Sequence, residues 1–71
     1  MTTKERAYKT FAIYEKARNN IGVTDYHVAK QTGIRASTIC DWKHGRTTPK
    51  IDKLVKIAAV LGIPVEVFFV G

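Results

Sequence analysis

Little in this chain belongs to the chemistry of an enzyme or of a secreted or membrane protein. Cys40 is the one cysteine among 71 residues, which excludes an internal disulfide and suits a reducing compartment. Two prolines and five glycines are too few and too dispersed for a flexible linker, and no low-complexity tract or internal repeat is visible. The longest apolar stretch, near Ile57 to Val65, is too short to span a bilayer. The opening Met1-Thr2-Thr3-Lys4-Glu5-Arg6 lacks the apolar core of a signal peptide. The expectation is a cytoplasmic protein. Acidic residues are scarce, six Asp and Glu against twelve Lys and Arg, a formal +6 at neutral pH. That excess points toward polyanions, nucleic acid before anionic membrane.

Metal and catalytic chemistry find few footholds. Cys40 and His44 stand at i and i+4, but only His27 could add another nitrogen ligand, and the spacing matches no standard metal site. There is no phosphate-binding glycine loop and no convincing nucleophile–base set. Catalysis, a cofactor and a bound metal are therefore not expected. A chain of this length forms one domain, 1–71, and buries only about 60% of its unfolded surface. That leaves scant volume for an active site beside a core.

What is present is helix. Apolar residues make up 45% of the chain, and glycines and prolines cut it into five pieces, each with helical spacing. Thr2-Thr3-Lys4-Glu5 has the T-x-x-E spacing of a capping box. Tyr8, Phe11, Ala12, Ala17 and Ile21 follow as a broken apolar face that ends at Gly22. Thr24 is a good N-cap for a short second helix with Val28, Ala29 and Thr32 on one face, stopped by Gly33. Ile34 and Ile39 have the spacing of a hydrophobic staple around Arg35, and Gly45 closes the third helix.

Pro49 suits a first helical turn, and Ile51, Leu54, Val55, Ala58 and Leu61 then repeat at helical spacing, widened by Ile57 and Val60. Gly62 ends that helix, and Pro64 opens a last short one over Val65 to Val70. Only Val65-Glu66-Val67 alternates like a strand. The fold class expected is all-α with five helices. All these helices place apolar faces where a core needs them, which argues against a membrane-surface partner.

The informative segment is Thr24 to Gly45, two short helices joined by a tight glycine turn. Ile34, Ile39 and Trp42 can anchor the second helix on a core and hold it outward. Thr24-Asp25-Tyr26-His27-Val28-Ala29-Lys30-Gln31-Thr32-Gly33-Ile34, then Ser37-Thr38-Ile39 and Trp42-Lys43-His44-Gly45, resemble the lambda-repressor-like (Xre or Cro-type) helix-turn-helix. The resemblance runs on through Pro49, Lys53 to Ala58 and Leu61 to Val65, covering about residues 14 to 69. It implies a five-helix DNA-binding domain with its helix-turn-helix at about 24–45 and a recognition helix at about 36–44 in the major groove.

Three positions depart from the family pattern. Asp25 replaces the usual glutamine, Arg35 the usual serine cap, and Lys43 the usual glutamate that in many relatives pairs with an arginine matching Arg18. Arg18 and Lys43 would be two cations, so that salt bridge is expected to be absent and both side chains to turn outward toward phosphates. At about 100° per residue, Ser37, Cys40, Asp41 and His44 lie opposite Ile39 and Trp42, with Thr38 bordering and Ala36 leading that face. The expected base contacts are Ala36, Ser37, Thr38 and Asp41. Ser37 can pair with either base type, Asp41 can accept from cytosine N4, and the methyl of Ala36 or Thr38 can meet a thymine methyl. Arg18, Arg35, Lys43, His44, Arg46, Thr47, Thr48 and Lys50 are the expected backbone contacts. Trp42 is expected in the core.

The resemblance implies a sequence-specific regulator of transcription, a repressor, acting on double-stranded DNA without catalysis. The competing reading is an antitoxin of the same fold, which neutralises a small protein partner and represses its own operon. Val65 and Phe68 should face inward. Val67 and Val70 should fall away from them, as cover for the first helix or as a homodimer patch.

Overall fold

Residues 2–69 are described by a computed structural model, which consists of four α-helices and a C-terminal 3-10 helix. Helix α1 spans Thr3–Ile21, α2 Asp25–Thr32, α3 Ala36–Lys43 and α4 Ile51–Leu61, and the 3-10 helix is Val65–Phe69. The five-helix expectation is thus corrected to four plus a tighter final turn, and no strand forms among the described residues. Val65-Glu66-Val67, with its strand-like alternation, lies inside the 3-10 helix.

Local chemistry explains the boundaries. The capping box at α1 closes in both directions: Thr2 Oγ1 accepts from the Glu5 amide at 3.1 Å, and the Glu5 carboxylate accepts from the Thr2 amide at 3.4 Å. Thr24 Oγ1 caps α2 by accepting from the His27 amide at 3.1 Å. Arg35 stands at the N-cap of α3 and its side chain makes no cap bond. Thr32 steadies that turn from the other side. Its hydroxyl donates to the Val28 carbonyl at 2.8 Å and accepts from the Ile34 amide at 3.2 Å. Helix α3 ends at Lys43, with His44 as its C-cap. Gly45 follows at φ +76°, where an added Cβ would sit 2.9 Å from Tyr8 Cζ. Both the backbone angle and the ring require glycine there.

Trp42 occupies the centre, fully buried. Phe11 meets it edge-on at 5.3 Å, Tyr14 lies at 4.9 Å and Phe68 at 6.1 Å between ring centroids. The indole Nε1 donates to Thr10 Oγ1 at 2.8 Å, and that hydroxyl donates onward to the Arg6 carbonyl at 2.7 Å. Helix α3 is therefore fastened to α1 by an apolar cluster with one satisfied polar link.

Several expected faces shift. The buried stripe of α1 is Ala7, Thr10, Phe11 and Tyr14, whereas Tyr8 and Ile21 are about half exposed and Ala12 is exposed. Tyr8 turns over Gly45 instead of into the core. In α4 the buried residues are Leu54, Ile57, Ala58 and Leu61, and Ile51 and Val55 stay largely in solvent. Pro49 is buried ahead of the N-cap Lys50 rather than in the first turn. Val65 and Val67 both pack partly against the core beside buried Phe68, so Val67 does not fall away as expected; Val70 lies outside the described residues.

Replacing Thr10 by valine keeps the volume but strands the buried indole N–H. The expected loss is about 1–3 kcal/mol, a fall in Tm of at least roughly 4 °C for a domain of this size. Thermal unfolding followed by Trp42 fluorescence measures it.

Candidate nucleic-acid interface

Two apolar anchors decide which way α3 faces. With Ile39 and Trp42 buried, helical geometry turns Ala36, Ser37, Cys40, Lys43 and His44 into solvent, while Thr38 and Asp41 sit half-buried at the edges. Arg35 is exposed at the leading end of this face. At the trailing end the segment 46–50 exposes Arg46, Thr47 and Lys50, with Thr48 half-buried and Pro49 fixed underneath. One surface thus brings together all four expected base-contacting residues and seven of the expected backbone contacts.

Within it the polar groups already hold one another. Arg46 Nη1 lies 3.2 Å from Asp41 Oδ1, and the Arg46 amide donates to the Asp41 carbonyl at 2.9 Å. The Arg46 side chain is exposed and that of Asp41 about half exposed, so the ion pair is worth under about 1 kcal/mol. His44 Nδ1 lies 2.8 Å from the Cys40 carbonyl and 3.5 Å from Cys40 Sγ. A carbonyl only accepts, so the proton sits on Nδ1 and Nε2 is left free in the neutral ring. The Thr48 hydroxyl is buried without a partner. Among the described residues no three metal-ligating side chains converge.

Arg18 corrects an expectation. It does not turn outward: its side chain is only 18% exposed, with Nε 3.0 Å from Asp25 Oδ1 and Nη1 donating to the Val23 carbonyl at 2.9 Å. The same Asp25 oxygen accepts from the Tyr14 hydroxyl at 2.6 Å. Burial and this short bond to a carboxylate push the Tyr14 phenol well above its ordinary value of 10.0. Asp25 at the start of α2 therefore brings no unbalanced negative charge to the surface. The departures at Asp25 and Lys43 compensate each other: the arginine that lacks a glutamate at 43 finds an aspartate at 25. Lys43 is exposed and forms no ion pair among the described residues.

Asp25, Ala36, Ile39, Cys40, Lys43 and His44 line a cleft of about 280 Å³ between α2 and α3, so the swapped residues border the outward face. Sequence reasoning missed the Tyr14–Asp25–Arg18 group. The available signal was that two linked positions change charge together.

Residues 15–68 match the helix-turn-helix family model. The chain belongs to that family, in its lambda-repressor-like (Xre) branch. Over 38 residues, 54% of the chain, it is 45% identical to an uncharacterized HTH-type transcriptional regulator of Haemophilus influenzae (strain Rd). That stretch spans only 16% of the relative's length. No solved structure matches the chain. No described helix is long and apolar enough to cross a membrane.

The Tyr14 phenol carries a pH prediction. Its proton is held more tightly in the folded state, so its contribution to stability is complete below the unfolded value near 10 and declines as pH rises above it. Tyr14→Phe should cost about 1.5–3 kcal/mol at neutral pH through loss of a bond to a charged acceptor. It should also flatten the decline above pH 10. Urea unfolding of both proteins between pH 7 and 11 gives the comparison.

Proposed function

We propose that this protein is a sequence-specific double-stranded DNA-binding regulator of transcription, acting as a repressor, with α3 inserted in the major groove. The observation that carries the reading is the rigid outward presentation of α3 by Ile39 and Trp42, flanked by cations at Arg35, Lys43, Arg46 and Lys50. Membership of the helix-turn-helix family and the similarity to an HTH-type transcriptional regulator support it. The mechanism is binding alone: occupancy of an operator excludes other proteins from it.

Ser37 and Asp41 are the polar base readers on this reading, and Ala36 and Thr38 offer methyl groups to thymine. Arg35, Lys43, His44, Arg46, Thr47, Thr48 and Lys50 follow the phosphates and fix register. Arg18 is not in this set, because Asp25 and Val23 hold it. The Asp41–Arg46 pair has a role in docking. A bare carboxylate on this face would repel phosphates, and Arg46 offsets that charge until the duplex arrives. The guanidinium then passes to a phosphate while Asp41 turns to cytosine N4, an exchange that breaks only a weak exposed ion pair.

Selection of bound duplexes from random sequence should enrich a defined site, and failure to enrich any sequence would sink the reading. With about five phosphates neutralised, log affinity should fall against log salt with a slope of about −4 to −5. Asp41→Ala should relax preference at one base pair by about 1–3 kcal/mol. Lys43→Glu should weaken binding to every sequence alike, as a phosphate contact does. Fluorescence anisotropy on the selected duplex and its single-base variants reads all of these.

A further inference from the structure

One cleft is only partly engaged by the proposed docking on DNA. It lies where the first turns of α1, the segment 47–50, the start of α4 and the final 3-10 helix meet, and its volume is about 340 Å³. That is the small end of the range for ligand pockets, about 300–1,000 Å³. Its lining is of two kinds. Leu54 and Phe68 are buried in it, while Ile51 and Phe69 leave 62% and 47% of their surface in solvent. Arg6 and Lys50 line the same cleft, together with Thr47 and Thr48. Apolar surface and positive charge therefore border one concavity.

The charge there has one sign. Arg6 and Lys50 are exposed, and neither is in an ion pair among the described residues. No carboxylate lines the cleft: Glu5 is held in the cap at Thr2, and Asp52 lies outside the lining. Helix α4 begins at the cleft with Lys50 as its N-cap, whose side chain makes no cap bond, so that helix end adds partial positive charge and no acceptor. Thr48 Oγ1 is buried in the same wall without a partner, polar capacity that the free protein leaves unused. A purely apolar occupant would leave both cations unanswered. An inorganic anion would answer them and leave Ile51 and Phe69 wet. The occupant that satisfies both kinds of lining is an anion with an apolar body.

We propose that this cleft binds a small carboxylate with an aromatic or branched apolar body, and that the ligand competes with DNA for Lys50. The carboxylate pairs with Arg6 and Lys50 through charge-assisted hydrogen bonds, and the body lies against Ile51, Leu54 and Phe69. The competition deepens the DNA-binding reading and rests on it. Lys50 belongs both to this lining and to the proposed phosphate-contacting segment. Once the ligand answers its charge, Lys50 no longer releases a counterion from the duplex, and affinity for DNA falls as the cleft fills. By linkage the duplex weakens the ligand by the same factor. The ligand thus acts as an inducer that lifts the protein from its site.

Phenylacetate is the probe, titrated into the full chain and followed by proton–nitrogen correlation NMR. The amides of Arg6, Thr47, Lys50 and Ile51 should shift saturably, with a dissociation constant below about 1 mM. Acetate and inorganic phosphate lack the body and phenylacetamide lacks the charge, so each should bind at least tenfold more weakly. Arg6→Gln, checked for helix content by circular dichroism, should weaken the probe at least fivefold and keep duplex affinity within about twofold. Lys9→Gln, an exposed position of α1 outside the lining, should change neither. Saturating probe should lower the affinity for the selected duplex at least threefold and reduce the salt slope by about one. The site is overturned by an absence of saturable shifts, by control compounds that bind as well as the probe, by indifference to Arg6→Gln or by loss in Lys9→Gln. Unchanged duplex affinity with the probe bound overturns the competition. A chain that binds the probe and no duplex keeps the site and sinks the regulatory reading instead.

Discussion

The structure depends on where one indole ring sits. Trp42 is the residue of α3 that reaches the centre of the protein, and everything outward on that helix is outward because Trp42 is inward. The rings of Phe11, Tyr14 and Phe68 enclose it from α1 and the C-terminal turn. The hydrogen bond from its Nε1 to Thr10 adds a direction that apolar packing lacks. An apolar socket alone would tolerate rotation of the ring and with it a drift of α3 about its axis. A buried donor with one acceptor in reach does not, since any rotation that breaks the bond leaves the N–H unpaired. The angular setting of the exposed face is in this way tied to a threonine on another helix.

The second constraint is electrostatic and concerns α2. A helix start is a favourable place for a carboxylate, yet on a surface meant for a polyanion it is an unfavourable one. The protein resolves the conflict by turning Asp25 back toward α1, where Arg18 and Tyr14 hold it. Arg18 also reaches the Val23 carbonyl, so one side chain ties together the end of α1, the connecting segment and the start of α2. The usual ion pair of the family is replaced by one using the same arginine and a different acid, and the position opposite is released for a lysine.

Much of this was legible in the sequence, and the line between what was and was not follows sequence distance. The caps at Thr2 and Thr24, the glycine stops at Gly22, Gly33 and Gly62 and the division of α3 into an anchored and a free side are decided within one or two turns, and each appears where spacing put it. The stripe of α1 was misread because Thr10 looks solvent-facing until the indole N–H across the core demands an acceptor. Tyr8 looks core-facing until Gly45 makes room for its ring. Arg18 was misplaced because its partner is chosen by the crossing of α1 and α2. The Asp41–Arg46 pair escaped notice because it spans a helix end, where i, i+5 is not a helical neighbour. The segregation of α4 into two stripes needed the core to be counted: α1, α2 and the final turn fill one side and leave Ile51 and Val55 without cover.

Side-chain size on the outward face bears on how binding energy is distributed. Ala36, Ser37 and Thr38 are short, and Asp41 is the one charged group among the proposed readers. No glutamine, asparagine or arginine on α3 itself offers a bidentate pair to a base edge. Short side chains read only if the helix backbone comes close to the bases, which a bulky face would prevent. Close approach in turn requires that the segments at either end of α3 accept the phosphates, and it is there that Arg35, Arg46 and Lys50 stand. On the docking proposed above, affinity comes mainly from the flanks, and discrimination from a small number of contacts made at short range. A face with so few readers discriminates weakly by itself.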